Sequence, residues 1–166
     1  MNAPAVTPEL APPPPGAAVV LFDGVCNLCN GWVNFLIDRD PRATLRFAAL
    51  QSRAAGALLA SAGAAAPWTG PGAAPPAVPA AAPPATMLLV EGGRVYDRST
   101  AVLRIVQHLG APWSLLAAFL WFPRPWRDGI YAFVAARRYR WFGKSESCRI
   151  PTPELRARFL PEPAEG

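Results

Sequence analysis

The sequence predicts an α/β domain, a mixed four-stranded sheet with flanking helices and a C-terminal helical extension. Three observations carry that expectation. Short apolar runs of strand length alternate with stretches of helical period, and a two-glycine turn joins two of the runs. With 166 residues, 52% hydrophobic and 16% charged, the chain also has the size and apolar content of one globular domain.

The elements follow in order. Ala17 to Phe22 is a continuous apolar run, as expected of a strand buried on both faces, and it ends at Asp23-Gly24. Leu28, Trp32, Phe35 and Leu36 then repeat at helical spacing, a stripe that should stop before Pro41. Thr44 to Leu50 alternates as a second strand, and Ser52 is placed to cap a helix reaching Gly63. Thr86 to Glu91 and Arg94 to Tyr96 flank Gly92-Gly93, which reads as a β-hairpin. Ser99 is expected to cap a helix with Val102, Ile105, Val106 and Leu109 on one face, closed by Gly110. Pro112 suits the first turn of a further helix ended by Pro123. A last helix, from about Pro125 to Phe142, aligns Trp126, Ile130, Phe133, Val134 and Trp141. The order β-α-β-α-β-β-α plus extra helices matches the thioredoxin-like pattern, with the first strand and the hairpin expected in the middle of the sheet.

Proline punctuates this plan. The 21 prolines crowd residues 1–16, a Pro/Ala/Gly-rich stretch at about 63–85, and the tail. Residues 1–16 are expected to be disordered, 17–160 to hold the domain, 63–85 to form an exposed loop within it, 112–142 the helical extension, and 161–166 a tail. The N-terminus lacks the positive start and unbroken apolar run of a secretory signal. The longest apolar run, Ala111 to Phe122, falls well short of the roughly 20 residues that cross a bilayer. A cytoplasmic location is the expectation.

The net charge of +5 has a local origin, in Arg124, Arg127, Arg137, Arg138, Arg140 and Lys144 against Asp128. Such a balance serves nucleic acid, an anionic membrane, or simply a solvated helix face. No nucleic-acid motif accompanies it, so no nucleic-acid partner is expected. Trp113, Trp121, Phe122, Trp126, Trp141 and Phe142 beside these arginines fit a helical hairpin resting on a membrane or docking a partner, but core packing explains the same stripe with fewer assumptions.

The chemistry lies in Asp23-Gly24-Val25-Cys26-Asn27-Leu28-Cys29, where the first strand meets the first helix. Two thiols three residues apart in a first helical turn fall on nearly the same side, within reach of a disulfide. The helix N-terminus favours a thiolate there, which makes Cys26 the nucleophile and Cys29 the resolving thiol. Gly24 is expected to allow a tight turn that exposes Cys26. Asp23 is near enough to exchange a proton with Cys29, or else accepts backbone N–H bonds at the helix start. A rival reading has the cysteines hold zinc, with Cys26, Cys29, Cys148 and His108 as the soft set, or merely pack, in a non-enzymatic partner-docking module. A phosphatase of the haloacid dehalogenase type needs a second aspartate where Val25 stands, and is disfavoured.

These residues resemble the thiol-disulfide oxidoreductase DCC family, named for the Asp-x-x-Cys-x-x-Cys motif present here as Asp23, Cys26 and Cys29. The likeness extends from about Val19 to Leu160, through the Val90 to Tyr96 hairpin, Ser99 to Leu109, Arg138 to Gly143, and Cys148. It implies a thioredoxin-like fold and a redox enzyme whose catalytic residues are Cys26, Cys29 and Asp23. No cofactor and no metal are implied. The partner expected is a disulfide- or thiol-bearing protein or small molecule. The proline-rich insertion is longer than the family would lead one to expect. Pro84 is separated from the third strand by Ala85 and Thr86, so substrate docking is expected at Thr86 rather than at a cis-proline. Cys148 is either a third redox thiol or a packed cysteine, and His108 is assigned no role.

Overall fold

In a computed structural model, residues 17–62, 87–144 and 157–161 are described. Four strands, β1 (Ala18–Phe22), β2 (Leu45–Ala49), β3 (Met87–Glu91) and β4 (Arg94–Asp97), form one mixed sheet in the order β2-β1-β3-β4. β1 runs parallel to β2, with Val20 opposite Phe47, and antiparallel to β3, with Val20 opposite Leu89. The central strands are thus β1 and β3, while β4 is an edge, so only half of the hairpin reaches the middle of the sheet. Gly92 and Gly93, with φ of +56° and +72°, make the tight turn that only glycine adopts twice in succession without strain.

Because β1 is buried on both faces, its alternating residues feed two cores. Val20 and Phe22 pack with Val33 and Leu36 of α1 (Asn27–Arg39) and with Ala101 and Ile105 of α3 (Arg98–Gln107). Val19 and Leu21 face Leu58 and Leu59 of α2 (Arg53–Ser61) on the opposite side. This mixed sheet with helices on both faces is the thioredoxin-like layout. Asp40 ties the turn after α1, accepting from the backbone of Thr44 (3.2 Å) and Leu45 (2.9 Å). Residues 157–161 return to the outer edge of β2, where Phe47 N–H donates to Arg158 O and Leu160 N–H to Phe47 O, both at 2.9 Å.

Ser52 caps α2 as expected, its Oγ accepting from Ala55 N–H at 3.1 Å. Three other expectations need correction. Ser99 does not cap α3 but lies inside it, its hydroxyl donating to Asp128, and Asp97 holds the cap position without a side-chain cap bond. Residues Trp113–Trp121 form a 3-10 helix rather than an α-helix. Finally, α4 (Arg124–Phe142) does not bury its aromatic stripe: Trp126, Ile130, Phe133 and Trp141 face outward, so core packing does not explain them. The physical reason is that α4 turns a different side to the domain, the one carrying Arg138, Tyr139 and Tyr131.

The expectations for residues 1–16, for the 63–85 insertion including Pro84, for Thr86, and for Cys148 lie outside the described residues.

Among the described helices, α2 is the one that packs on the Val19 and Leu21 face of the sheet, which makes its cap a direct probe of that layer. Ser52→Ala should lower the unfolding free energy by about 1 kcal/mol, read from urea denaturation followed by circular dichroism; an unchanged midpoint would show that the cap bond contributes nothing.

Candidate functional site

β1 ends at Phe22, and the next four residues form a turn bonded from several sides. Cys26 N–H closes back on Asp23 O at 3.2 Å, and Val25 N–H donates to Asp23 Oδ1 at 3.2 Å. Gly24 is held by Gln51 Oε1 on its N–H (3.2 Å) and by Asn30 Nδ2 on its carbonyl (3.0 Å). A Cβ on Gly24 would stand 3.4 Å from both Ala49 Cβ and Gln51 Oε1, so the glycine lets the loop after β2 close onto the motif. Its role is close approach rather than exposure of Cys26.

Cys26 is the N-cap of α1, with extended φ and ψ of −91° and 117°, and its carbonyl accepts Asn30 N–H at 2.9 Å. Cys29 follows one turn later and faces it. The Cys29 thiol is pushed up to about 12, by burial first and then by a hydrogen bond with Cys26 and the nearby Cys26 charge, with the Arg138 cation opposing the rise. The structure therefore brings together the two sulfurs that the sequence pairs, in the dithiol form.

Access differs from expectation. Cys26 is 0% exposed and Cys29 5%, so neither stands at an open mouth. The segment after α4 passes beside Cys26. After α4, Gly143 adopts φ 75° and ψ −177°, a region essentially restricted to glycine. That turn lays Lys144 against Cys26 as an isolated antiparallel bridge, and Asn27 Nδ2 donates to Phe142 O at 2.9 Å. On the other side, Cys29 reaches an apolar cavity of about 190 Å³ lined by Leu28, Trp32, Met87, Tyr131 and Arg138 among others.

Asp23 is buried and accepts from four donors. Oδ1 takes Val25 N–H and Gln51 Nε2 (2.9 Å); Oδ2 takes Arg138 Nη2 (2.9 Å) and the Tyr139 hydroxyl. Burial alone would raise its pKa, but the bonds from Tyr139, Gln51, Val25 and Arg138 together outweigh it and hold the carboxyl below the usual carboxylate range. The backbone-accepting role held open for Asp23 is thus present. Arg138, grouped from sequence with a basic cluster that could serve nucleic acid, a membrane or a solvated helix face, is almost completely buried instead, and Nη2 also donates to the Tyr139 hydroxyl at 2.7 Å.

Sequence reasoning missed Arg138, Tyr139 and Gln51 as site residues. One signal for Arg138 existed: an aspartate directly after a doubly buried strand needs a cation, and Arg138 lies off the aromatic stripe of its helix. Gln51 carried no signal. His108, meanwhile, is engaged elsewhere, with Nε2 2.9 Å from Glu91 Oε1. Among the described residues, no three His, Cys, Asp or Glu side chains gather as a metal-ligand group.

Comparison with known proteins gives the same picture at family level. The family model of DCC1-like thiol-disulfide oxidoreductase matches residues 20–144. The chain is 41% identical over 143 residues to the uncharacterized protein YuxK of Bacillus subtilis, covering 86% of this chain and 93% of that one. It is 42% identical over 133 residues to a DCC family protein of Arabidopsis thaliana described as chloroplastic, covering 80% of this chain and 69% of that one. No solved structure matches the chain significantly.

Removing one partner of the buried pair leaves the other charge uncompensated. Asp23→Asn should therefore cost about 3–5 kcal/mol of stability at neutral pH, and Arg138→Met a similar amount. Because Asp23 is more acidic folded than unfolded, its contribution is complete above the unfolded carboxylate range and fades as pH falls from about 5 toward its lowered folded value. The stability gap between wild type and Asp23→Asn, measured by urea unfolding across that window, should narrow on acidification; a constant gap would contradict this account.

Proposed function

The chain belongs to the DCC1-like thiol-disulfide oxidoreductase family, and on that premise we propose that Cys26 and Cys29 cycle between dithiol and disulfide against a thiol- or disulfide-bearing protein or small molecule. The observation that carries this reading is the facing pair itself, two thiols one turn apart at a helix start, hydrogen-bonded to each other.

In the reducing direction, the Cys26 thiolate attacks one sulfur of a substrate disulfide. The substrate S–S bond breaks, the attacked sulfur joins Cys26, and the other leaves as a thiolate that takes a proton. Cys29 then gives up its proton and attacks Cys26 Sγ, expelling the second substrate thiolate and closing the Cys26–Cys29 disulfide. Two electrons pass to the substrate, and the reverse sequence oxidises a dithiol.

The surroundings divide the labour. Burial and the bond with Cys26 raise the Cys29 thiol above its usual range, and the first attack is assigned to Cys26, which stands at the N-cap of α1. Arg138 lines the cavity beside Cys29, and its cation favours the anion that forms there when Cys29 loses its proton in the second step. Asp23 holds Arg138 in place and serves as a positioning residue. The apolar cavity accommodates an apolar group flanking the substrate sulfur. Since Cys26 is fully buried, exchange proceeds from a locally opened state.

Alkylation across a series of redox buffers should reveal one two-thiol couple that vanishes in Cys26→Ser, and Cys29→Ser should accumulate a mixed disulfide with substrate. Labelling that stays constant across the series, or stoichiometric zinc in freshly purified protein, would count against the proposal.

The burial of Cys26 supplies a second expectation. Gly143→Ala introduces strain of about 1–3 kcal/mol into the turn, and Cys26 should then be alkylated roughly tenfold faster under native conditions while the far-ultraviolet spectrum is unchanged. Equal rates would mean that Lys144 does not gate the thiol.

A further inference from the structure

α4 is amphipathic with the usual sides reversed. Toward the domain it presents Arg138, Tyr139 and Tyr131, which belong to the site around the cysteines; toward solvent it presents Trp126, 69% exposed, Ile130, 67% exposed, Phe133 and Trp141. The stripe runs along the helix. Phe122 and Trp126 meet edge to face at 6.3 Å, as do Phe133 and Trp141 at 5.9 Å, with Ile130 one turn before Phe133. Just before α4, the 3-10 helix Trp113–Trp121 contains no charged residue and exposes Leu115, Phe119 and Trp121, the last 98% exposed. A folded domain does not ordinarily leave this many large apolar groups together in water unless they meet something.

The charge around the stripe decides what. Arg137 stacks on Phe133 at 3.8 Å, and Arg140 stands exposed near the helix end. From Trp113 to Lys144 the sole acidic residue is Asp128, and it is occupied by Ser99 and Arg124. A second copy of this face would bring Arg137 and Arg140 against their own kind, with no free carboxylate on that face among the described residues to compensate. An anionic phospholipid surface supplies the missing charge and takes Trp and Phe into its headgroup boundary. No helix of the described residues is long and apolar enough to cross a membrane, so the contact is peripheral.

We propose that the outward face of α4 and the preceding 3-10 helix dock the protein on an anionic phospholipid surface. The aromatic groups insert at the boundary, and Arg137 and Arg140 meet the headgroups. The Cys26–Cys29 pair lies under the opposite side of the same helix, so docking orients the site without covering it with lipid. This inference does not depend on the redox reading, and its test involves no thiol chemistry.

The full chain is mixed with vesicles of phosphatidylcholine containing phosphatidylglycerol, and with vesicles of phosphatidylcholine alone, in flotation and tryptophan-fluorescence assays. Binding to the anionic vesicles should be at least tenfold tighter than to the neutral ones and should weaken as salt rises. Ile130→Glu with Phe133→Glu should abolish it, and Arg137→Glu with Arg140→Glu should reduce it at least tenfold; both pairs lie on the outer surface, and unchanged melting curves will confirm that the fold is intact. Absence of vesicle binding overturns the proposal. So does a concentration-dependent dimer in sedimentation velocity that the same substitutions dissolve, which would assign the face to a second copy.

Discussion

A buried carboxylate cannot remain charged in an apolar interior without partners, and the rest of this structure is arranged around meeting that demand for Asp23. The residue follows β1, the most deeply buried strand, so water cannot serve it. Gln51 from beyond β2, Val25 from the motif itself, and Arg138 and Tyr139 from α4 converge on its two oxygens. An interaction between residues 115 positions apart in the sequence thereby fixes where α4 sits. Once Arg138 points inward, the pitch of the helix sends Trp126, Ile130, Phe133 and Trp141 outward, and the chain leaving α4 passes over Cys26.

The same arrangement sets the electrostatics of the two thiols. Both are held away from water, where each interaction counts for more than it would in solvent. Cys29 is kept neutral by burial and by its bond with Cys26, and the cation of Arg138 opposes them. Asp23 tempers that cation without neutralising it fully. A buried ion pair next to a dithiol is thus more than a structural clamp, because it sets the charge that a reacting sulfur experiences.

One helix serves two surfaces with opposite requirements. Its inner side needs polar groups, since they must satisfy Asp23 and line the cavity beside Cys29; its outer side carries the apolar groups usually expected inside. Hydrophobic periodicity alone reports that α4 is amphipathic and is silent on which side faces the domain. The assumption that apolar means inward fails where a buried charge outbids it.

Much of the fold was legible in the chain. The apolar run of β1, the alternation of β2, the Gly92-Gly93 turn and the Ser52 cap are local signals, each read from a few neighbouring residues, and the family motif located Cys26 and Cys29. Other features depended on tertiary structure. Ser99 looks like a cap but is drawn into α3 by Asp128, Pro112 opens a 3-10 helix rather than an α-helix, and Arg138 looks like one more surface arginine until Asp23 claims it. By itself the sequence determined the order of elements, the pairing of the two cysteines at a strand-to-helix junction, and the acid before them, because backbone propensity and short spacing settle those. Tertiary structure alone decided that Cys26 is covered, that Asp23 has four donors, and that the aromatic stripe faces outward. Those outcomes follow from desolvation, which depends on what distant segments bring to a site and leaves no periodic trace in the chain.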